Sequence, residues 1–448
     1  MDKGKLNKEQ ALAAAPDMGI NLVIAGAGTG KTTTMISKIA NVLHFNELLP
    51  ENLLVLTFSR KAAEEIKSRL QSSLNRDVNK IFAGTFHSFA FHLLRQYPKA
   101  YLEHSGFMAF PQLITEDEKE EIIKTIIHNN KKLYLGIPNE TVFRLSCRLD
   151  RLDSSSRDKL KKNGLFKLME DIPKAYAMHK KEKSLIDFDD IISHATSLLH
   201  QSDEIRKDVL KKYKYIFVDE FQDTSDDNFD FLSNLLCNKN PALFMVGDDY
   251  QSIYGFRNAN VEYIINIAKY FPGVNVQKLT KNYRSGKKII KLSNRFIKQN
   301  KFRTAKKIVS CRNIKGKVQA HQVQKKKTES EIIKEIILNS DKKNDIAIIY
   351  RNNYQGALLK GELENSVSSR AVFLTMHASK GLEFGTVIIA GISDKIIPDK
   401  TSDLEEERRL FYVAITRAKN ELHLVYHLNS KKQLPRFIKE LGYKNQSQ

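Results

Sequence analysis

A glycine-rich segment near the start of the chain has the residue types and spacing of a loop that binds phosphate. It reads, in order, Ala25, Gly26, Ala27, Gly28, Thr29, Gly30, Lys31, Thr32, Thr33. An apolar run (residues 21–25) precedes it and a helical pattern follows it, which is the context such a loop requires. Glycines let backbone N–H groups face phosphate oxygens, Lys31 reaches the β- and γ-phosphates, and the Thr32 hydroxyl binds Mg²⁺. The segment therefore predicts a nucleoside triphosphate site.

A second apolar run ends in two adjacent carboxylates. Residues 215–219 read YIFVD and Glu220 follows them. At the carboxyl edge of a sheet, Asp219 would bind Mg²⁺ and Glu220 would polarise water for attack on the γ-phosphate. A pair of this kind is common after strands, but beside a phosphate loop it predicts nucleotide binding. Adenylate and sugar kinases also have phosphate loops, so these two motifs predict nucleoside triphosphate binding and leave the task of the protein open.

Two sets of short apolar runs, each alternating with helical patterns, must position these residues. Such alternation predicts an α/β fold with parallel sheets that carry ligands at the carboxyl ends of their strands. Within the first set, residues 91–185 have long helical patterns and no strand runs, which predicts a helical insert. The predicted strands are residues 21–25, 53–57, 81–85, 215–219 and 242–247, then 345–350, 371–375, 386–390 and 421–426.

The charge of the chain is strongly positive and concentrated in one segment. The 448 residues include 73 Lys and Arg against 52 Asp and Glu, a net charge of +21. Residues 278–330 hold 18 of the basic residues and one acidic residue, Glu329, a local charge of +17. Apolar residues recur within this segment at helical spacing, so we expect an amphipathic helix with a basic outer face. A polyanionic partner or a solvated helix would each explain it.

The composition excludes several classes of protein. Its three cysteines, Cys147, Cys237 and Cys311, are far apart, which argues against a disulfide framework, a zinc knuckle and an iron–sulfur cluster. No apolar run has the length of a membrane span, and five of the first ten residues are charged, unlike a signal peptide. We therefore expect a soluble, cytoplasmic protein.

Ten segments, which include the phosphate loop and the carboxylate pair described above, identify the family that the chain resembles. They are LNKEQ (6–10), the phosphate loop, LTFSRKAAEEIKSRL (56–70), GTFHSFA (84–90), DFDD (187–190), VDEFQDTS (218–225), VGDDYQSIYGFRNA (246–259), LTKNYRS (279–285), LTMHASKGLEF (374–384) and EEERRLFYVAITRAK (405–419). In this order they resemble the motifs of superfamily 1A DNA helicases of the UvrD/Rep/PcrA type, from residue 6 to about residue 441. The resemblance implies two RecA-like domains with ATP and Mg²⁺ between them.

The resemblance also implies catalytic roles beyond those of Lys31 and Glu220. Gln251 would sense the γ-phosphate and couple it to DNA through its loop. Arg284 and Arg417 would act as arginine fingers that neutralise charge as the γ-phosphoryl group departs. For the nucleoside, Gln10 would read the adenine.

Two more residues complete the implied ATP site and a further set faces DNA. Tyr283 would stack on the adenine and Glu383 would bond to the ribose. Single-strand binding needs aromatic faces and cations, and in relatives the motifs that face DNA correspond here to Thr57, Phe58, Thr85, Phe86, His87, Tyr254, Phe256, Arg257, Thr375 and His377. Relatives usually have Trp where this chain has Phe256, so we expect weaker stacking there, and we expect only some of the aromatic residues to touch bases.

The resemblance predicts a first RecA-like domain (1–90 and 186–278), a helical insert (91–185) and a second RecA-like domain (279–448). Larger relatives carry an additional domain where this chain has only residues 351–370, so the chain is a short form. The link at residues 426–436 is also shorter than the duplex-separating hairpin of relatives. Both departures concern unwinding and leave the ATP site complete.

We therefore expect an ATP-dependent DNA helicase or translocase that moves 3′→5′ on single-stranded DNA, with 3′-tailed duplexes as its substrates. One alternative is an ATPase subunit of a repair or phage-defence complex, with a partner nuclease and weak unwinding alone. A second alternative is a nucleic-acid binding module that has lost hydrolysis, which the complete set of catalytic residues disfavours.

Overall fold

The computed structural model describes residues 6–74, 78–129, 166–236, 242–324, 327–341 and 344–444, with side chains omitted for 166–170. The chain divides into two compact units. The first comprises Met1–Gly84, Lys212–Phe229 and Asn238–Gln448, and the second comprises Thr85–Lys211 and Asp230–Cys237. Within the described residues, no helix is both long enough and apolar enough to span a membrane. The division into three domains at the predicted boundaries stays a prediction.

The described strands alternate with helices along most of the chain, as the apolar runs predict. The strands are β1 (Ile20–Ala25), β2 (Leu53–Thr57), β3 (Phe82–Thr85), β4 (Gln112–Leu113), β5 (Leu185–Ile186), β6 (Tyr215–Val218), β7 (Ala242–Gly247), β8 (Asn275–Leu279), β9 (Lys281–Asn282), β10 (Val309–Ser310), β11 (Lys317–Gln322), β12 (Ile346–Tyr350), β13 (Ala371–Thr375), β14 (Phe384–Ile392) and β15 (Ala418–Tyr426). The described helices are α1 (Lys8–Ala13), α2 (Lys31–Phe45), α3 (Arg60–Ser73), α4 (Phe86–Gln96), α5 (Pro98–Ser105), α6 (Glu116–Asn129), α7 (Phe166–Glu182), α8 (Phe188–Gln201), α9 (Asp203–Lys212), α10 (Asp226–Leu236), α11 (Glu262–Ile265), α12 (Ile267–Tyr270), α13 (Lys287–Ile297), α14 (Glu329–Asn339), α15 (Asn353–Glu362), α16 (Asn365–Ser368), α17 (Leu404–Ile415) and α18 (Arg436–Glu440).

The first sheet has the strand order β3-β2-β6-β7-β1-β8. Its recorded pairings are parallel, for example Val23 opposite Val246 and Phe217 opposite Phe244. The central strands are buried along their length, because α2 and α3 cover one face with apolar side chains. Parallel strands place their carboxyl ends at one edge, so the loops after β1, β6 and β7 meet there. The edge strand β8 (NVQKL) was absent from the sequence prediction because three of its five residues are polar.

The second sheet has the order β11-β15-β14-β12-β13, again with parallel pairings, and it belongs to the same unit as the first. Its central strand β14 is buried throughout. All four predicted strands are present here, and the α/β class with two parallel sheets is confirmed. The fifth strand, β11 (KVQAHQ), lies at the edge and within the basic segment, where its polar composition concealed it.

Two local predictions outside the sheets also agree with the structure. The amphipathic basic helix is α13, which buries Ile289, Ile290, Phe296 and Ile297. Between β12 and β13 the chain forms only two short helices, α15 and α16. Larger relatives were expected to carry an additional domain at this position, and this chain was expected to lack it.

The second unit is mainly helical and has a small core of its own. Side chains from α6 and α7 form it together with Ile114, and its members are Ile114, Ile123, Ile127, Ile172 and Tyr176. A two-residue pairing of β4 with β5, which the helical patterns did not predict, brings residues 112–113 beside 185–186. Residues 130–165 of the predicted insert lie outside the described residues.

Candidate nucleotide site

The glycine loop lies between β1 and α2 with a backbone that only glycine adopts easily. Gly28 has a φ of +66° and Gly30 a φ of +87°, both in the left-handed region. The Thr29 hydroxyl donates to the Gly26 carbonyl oxygen at 2.8 Å and the Thr34 hydroxyl donates to the Gly30 oxygen at 2.9 Å. These bonds hold the loop curved at the N-terminus of α2, where free N–H groups and the helix dipole favour phosphate.

Gln10 holds the same loop from the outside. Its Nε2 donates to the Thr29 carbonyl oxygen at 3.0 Å, and its Oε1 accepts from the Asn7 backbone N–H at 3.1 Å. Asn7 caps α1 in return, accepting from the Gln10 N–H at 3.0 Å. A Cβ on Gly30 would lie 2.5 Å from Gln10 Nε2, so the close approach requires glycine. That Gln10 reads adenine stays a prediction.

The two adjacent carboxylates follow β6, and their pKa values shift in opposite directions because different charges surround them. Glu220 has a φ of +49°, which turns its side chain toward Lys31, and Lys31 Nζ lies 3.2 Å from Glu220 Oε2. Burial pushes the pKa of Glu220 up, but Lys31 and Lys380 outweigh it and lower the pKa to about 2. Burial, reinforced by the charge of Glu220, raises the pKa of Asp219 to about 7. Glu220 is therefore ionised at neutral pH, as a general base must be.

Thr32 and Asp219 offer the oxygen atoms that Mg²⁺ prefers. Thr32 is in the first turn of α2, and the Asp219 carboxyl, 6% exposed, accepts from the Glu220 N–H at 2.9 Å. The raised pKa of Asp219 shows a buried carboxyl short of compensating positive charge, which a bound cation would supply. The donor set fits Mg²⁺, although among the described residues no group of three or more His, Cys, Asp and Glu forms a metal cluster.

Gln222 and Asp223 belong to the site but were missed as site residues. Gln222 Nε2 donates to Glu220 Oε2 at 2.5 Å and its Oε1 accepts from the Asp248 N–H at 2.8 Å. Asp223 pairs with Lys380, although burial raises its pKa to about 6. Both residues stand in the VDEFQDTS segment, so their position in that motif was an available signal.

Gln251 and Arg417 are in contact although they belong to segments next to different sheets. Gln251 follows β7 of the first sheet, and Arg417 lies between α17 and β15 of the second sheet. Arg417 Nη2 donates to Gln251 Oε1 at 3.2 Å, and Gln251 Nε2 donates to Asp248 Oδ2 at 2.5 Å. Arg417 is 1% exposed, and its Nε and Nη1 donate to the carbonyl oxygens of Val413 and Leu382. Its Nη2 also donates to Thr416 Oγ1 at 3.2 Å. Burial, with the nearby charge of Arg284, lowers the pKa of the Arg417 guanidinium to about 9, so it stays cationic at neutral pH.

Arg284 pairs with Glu383 beside the glycine loop. Arg284 Nε donates to Glu383 Oε2 at 2.7 Å, and Arg284 Nη1 donates to the Thr416 carbonyl oxygen at 3.4 Å. Burial pushes the pKa of Glu383 up, but Arg284 and then Lys419 outweigh it and lower the pKa. The predicted finger and the predicted ribose ligand thus bind each other in this structure.

The segment before Arg284 is held against the glycine loop by two hydrogen bonds to carbonyl oxygens of the loop. Asn282 Nδ2 donates to the Ala27 carbonyl oxygen at 2.6 Å, and the Tyr283 N–H donates to the Gly28 oxygen at 2.9 Å. The Tyr283 side chain is 48% exposed and accepts from Asn7 Nδ2 at 2.7 Å, so its ring is open to a planar ligand. Thr33 is exposed on α2, next to Thr32.

Four of the residues predicted to face DNA form one aromatic and cationic cluster in the first unit. Phe256 is 56% exposed and packs edge-on against His377, with ring centroids 5.3 Å apart, and against Tyr254 at 5.9 Å. The Arg257 guanidinium lies 5.6 Å from the Phe256 ring. Burial, then the charges of Arg351, Lys380 and Arg257, lowers the pKa of His377 to about 4, so this ring is neutral. The cluster presents a hydrophobic face beside a cation.

Glu406 on α17 supports this cluster and was missed by the sequence prediction. Its Oε1 accepts from the Gly255 N–H at 2.9 Å, and a Cβ on Gly255 would lie 2.5 Å from Glu406 Oε2. The carboxylate thus holds the loop that carries Tyr254 and Phe256. The only signal in the sequence was its place in the EEERRLFYVAITRAK segment.

The other predicted DNA residues are placed differently. Thr57, the last residue of β2, is buried, and Phe58, which follows it, is half-buried. The Thr375 hydroxyl accepts from the Ala378 N–H at 3.1 Å. In the second unit, Thr85 caps α4 by accepting from the Ser88 N–H, Phe86 is 1% exposed, and the His87 ring stacks on Phe188 at 3.9 Å. The Phe86 ring therefore offers no face to a base in this conformation.

Comparisons with known proteins match almost the whole chain. A model described as UvrD/REP helicase N-terminal domain matches residues 6–272, and one described as UvrD-like helicase C-terminal domain matches residues 277–368 and 357–429. The ATP-dependent DNA helicase Rep of Buchnera aphidicola (subsp. Schizaphis graminum) is 31% identical over 84% of this chain, which spans 58% of that relative. A probable DNA helicase of Mycoplasma pneumoniae is 32% identical over 94% of the chain and 83% of its own length. The ATP-dependent DNA helicase PcrA of Staphylococcus aureus (strain Mu50) is 30% identical over 79% of the chain and 49% of its own length.

Proposed function

The chain belongs to the UvrD/REP helicase family, and we propose that it is an ATP-dependent DNA helicase that moves 3′→5′ along single-stranded DNA. The observation that carries this proposal is the bond between Gln251, which follows the first sheet's β7, and Arg417, which precedes the second sheet's β15. It joins the predicted γ-phosphate sensor to a cation from the other sheet. A site assembled in this way changes when the γ-phosphate departs.

Binding of the triphosphate rests on the glycine loop and Lys31. The backbone N–H groups at the start of α2 donate to phosphate oxygens, and Lys31 leaves Glu220 to bind the β- and γ-phosphates. Tyr283 supplies an exposed ring for the adenine. Thr32 and Asp219 would hold Mg²⁺, which, when bound, neutralises charge on the phosphate oxygens.

Hydrolysis needs a base that is ionised, positioned and close to the γ-phosphate. Glu220 is ionised because of Lys31 and Lys380, and its Oε2 accepts from Gln222 Nε2 at 2.5 Å, which limits its rotation. From this position it orients a water molecule and takes its proton as the phosphorus–oxygen bond to the leaving group breaks. Arg284 and Arg417 then neutralise the charge that develops.

Coupling to DNA follows the loop after β7. Asp248 Oδ2 accepts from Gln251 Nε2, and the Asp248 backbone N–H donates to Gln222 Oε1. Three residues beyond Gln251 the chain reaches Tyr254. Loss of the γ-phosphate would free Gln251 and Arg417 to change their bonding, which displaces the loop and therefore the Tyr254–Phe256 ring pair. Bases stacked on that pair would move with it.

The test of the proposal is the rate of ATP hydrolysis with and without single-stranded DNA. We expect clear stimulation by oligothymidylate that weakens steeply as salt increases, because phosphate contacts release counterions. Glu220→Gln should abolish turnover while nucleotide and DNA binding persist. Turnover that ignores single-stranded DNA would contradict the proposal.

A second candidate is a helicase-like ATPase that unwinds weakly alone and acts with a partner nuclease. Its support is the short connection between β12 and β13, where only α15 and α16 occur. Strand separation on a 3′-tailed duplex distinguishes the two. Efficient unwinding by the purified chain favours the autonomous helicase, whereas translocation without unwinding, restored by a co-purifying protein, favours the second candidate.

A further inference from the structure

The outer face of α13 presents a row of cations. Lys287, Lys288, Lys291 and Arg295 are exposed on the helix, and Lys298 continues the row at its C-terminal cap. The opposite face is buried, so the helix cannot turn these charges away from solvent without exposing its apolar side chains. The row is therefore a permanent feature of the surface, and we name it the basic face of α13.

The lysines of the basic face lack acidic partners. In the part of the chain that the structure describes, none of Lys287, Lys288, Lys291 and Lys298 forms an ion pair, whereas nearby Lys317 lies 3.5 Å from Glu421. The first turn of α13 contains two lysines and no acidic residue. Positive charge at a helix N-terminus opposes the helix dipole, so local stability does not explain these residues.

The spacing of the row suits the phosphates of a nucleic-acid strand. Lys287, Lys291 and Arg295 are four residues apart, and Lys298 follows after three, so all lie on one side of the helix. From Lys287 to Lys298 the helix rises about 16 Å, a length over which one strand of a duplex carries about five phosphates. We propose that the basic face of α13 binds the phosphate backbone of duplex DNA.

The chemistry of the face favours a duplex over a single strand. Single strands are held by aromatic rings on which their bases stack, and the five positions of the row contain only Lys and Arg. The rings suited to stacking lie elsewhere, at Tyr254, Phe256 and His377. A straight row of flexible cations without rings suits a ligand that exposes only its phosphates, as a duplex does.

This inference rests on the proposed function, because it assigns the duplex portion of a tailed substrate to a surface outside the nucleotide site. The experiment replaces Lys287, Lys288, Lys291 and Lys298 together by Gln in the full chain. Arg295 is retained, because its guanidinium lies against Gly442, where a Cβ would be 1.9 Å from Arg295 Cζ. The matched control replaces four exposed lysines in loops, Lys395, Lys400, Lys431 and Lys432, by Gln.

Affinity for a blunt duplex of about 20 base pairs is measured by fluorescence anisotropy at several salt concentrations. The slope of log K against log salt is negative, and each lost phosphate contact reduces its magnitude by about 0.9. The slope of the variant should therefore be less negative by about 3.6. Arginine at the same four positions should restore the slope, since arginine also contacts phosphate. An equal slope for the variant and the control, or no duplex binding by the unmodified chain, would overturn the inference.

Stimulation of ATP hydrolysis by oligothymidylate separates this inference from the proposed function. It should be unchanged in the variant, because none of the four lysines touches the nucleotide site or the aromatic cluster. If the unmodified chain shows no such stimulation, the proposed function fails while the duplex measurement still decides the role of the basic face. If stimulation is lost only in the variant, the face serves the single strand and the inference is wrong.

Discussion

Arg417 Nη2 donates to Gln251 Oε1 at 3.2 Å. The two residues are 166 positions apart in the chain, and their contact joins segments next to the two sheets. The arginine is fully buried and cationic, while the glutamine is held on its other side by Asp248. Each side chain therefore has defined partners, for which a γ-phosphate at the proposed site would compete.

Replacing Arg417 by Lys should lower kcat about 1,000-fold, the lower end of the range for loss of an arginine finger, with little change in ATP affinity. Lysine keeps the charge but cannot bond to Gln251, Val413 and Leu382 together. The measurement combines steady-state hydrolysis with equilibrium ATP binding. In a double-mutant cycle with Gln251→Ala the two losses should be non-additive by at least about 0.5 kcal/mol. Additive losses would show that the contact has no part in turnover.

Replacing Phe256 by Ala should weaken single-stranded DNA binding by about 1–3 kcal/mol, because the ring is exposed and base stacking is of that size. Phe256→Trp should tighten binding through its larger face. Hydrolysis measured without DNA should stay the same. Tyr354, 54% exposed on α15, is a matched control, since Tyr354→Ala removes an exposed ring outside the cluster. Equal effects of the two alanine variants would contradict a stacking role.

Replacing Lys306 by Met should destabilise the first unit by about 3–5 kcal/mol. Lys306 Nζ is buried, pairs with Asp248 at 2.7 Å and with Asp249, and lies 3.8 Å from the centroid of the Tyr250 ring. Removal leaves two buried carboxylates without a cation. The denaturant midpoint measures the effect, and Lys307→Met at the exposed neighbouring position should change stability by no more than about 0.5 kcal/mol. Similar midpoints for both variants would refute this account.

Acidification should destabilise the protein partly through His423. Burial lowers the pKa of His423 to about 4, while an unfolded histidine titrates near 6.5. Between these values the unfolded chain binds a proton that the folded chain does not, so stability decreases as pH falls through that window, by up to about 3 kcal/mol. His423→Gln should flatten the dependence of the denaturant midpoint on pH between 7 and 4.

The exposed His200 serves as the control for this titration, because His200→Gln changes a histidine on the solvent side of α8. Its midpoint should follow pH as that of the unmodified chain does. A His423→Gln variant with an unchanged pH dependence would assign the acid sensitivity to other groups.

Much of the fold was predictable because its strands are locally apolar. The runs that form β2, β6 and β7 are buried along their whole length, and β1 is buried at every residue after Ile20. The segments that follow β1, β6 and β7 contain the glycine, carboxylate and amide groups of the candidate nucleotide site. β8 and β11 escaped prediction because edge strands keep one side in solvent and so carry polar residues. β4 and β5 left no pattern because two residues are too few to show the alternation of a strand.

The candidate site shows the same division between local and distant information. The conformations of Gly28 and Gly30 follow from residue type and from the position before a helix, so a local pattern sufficed. The roles of Gln222 and Glu406 depend on partners far along the chain, at Asp248 and Gly255. The Arg284–Glu383 pair also joins two residues for which separate nucleotide contacts had been predicted.

By itself, the sequence determined which chemical groups the protein has and which family it resembles, because motifs and apolar periods are properties of short segments. Only the tertiary structure decided which of those groups meet. Burial raises the pKa of Asp219, whereas the charges of Lys31 and Lys380 outweigh burial at Glu220 and lower its pKa. The fold also buries Phe86 and leaves Phe256 exposed. These outcomes depend on desolvation and on charges brought together from distant positions, and neither quantity exists until the chain has folded.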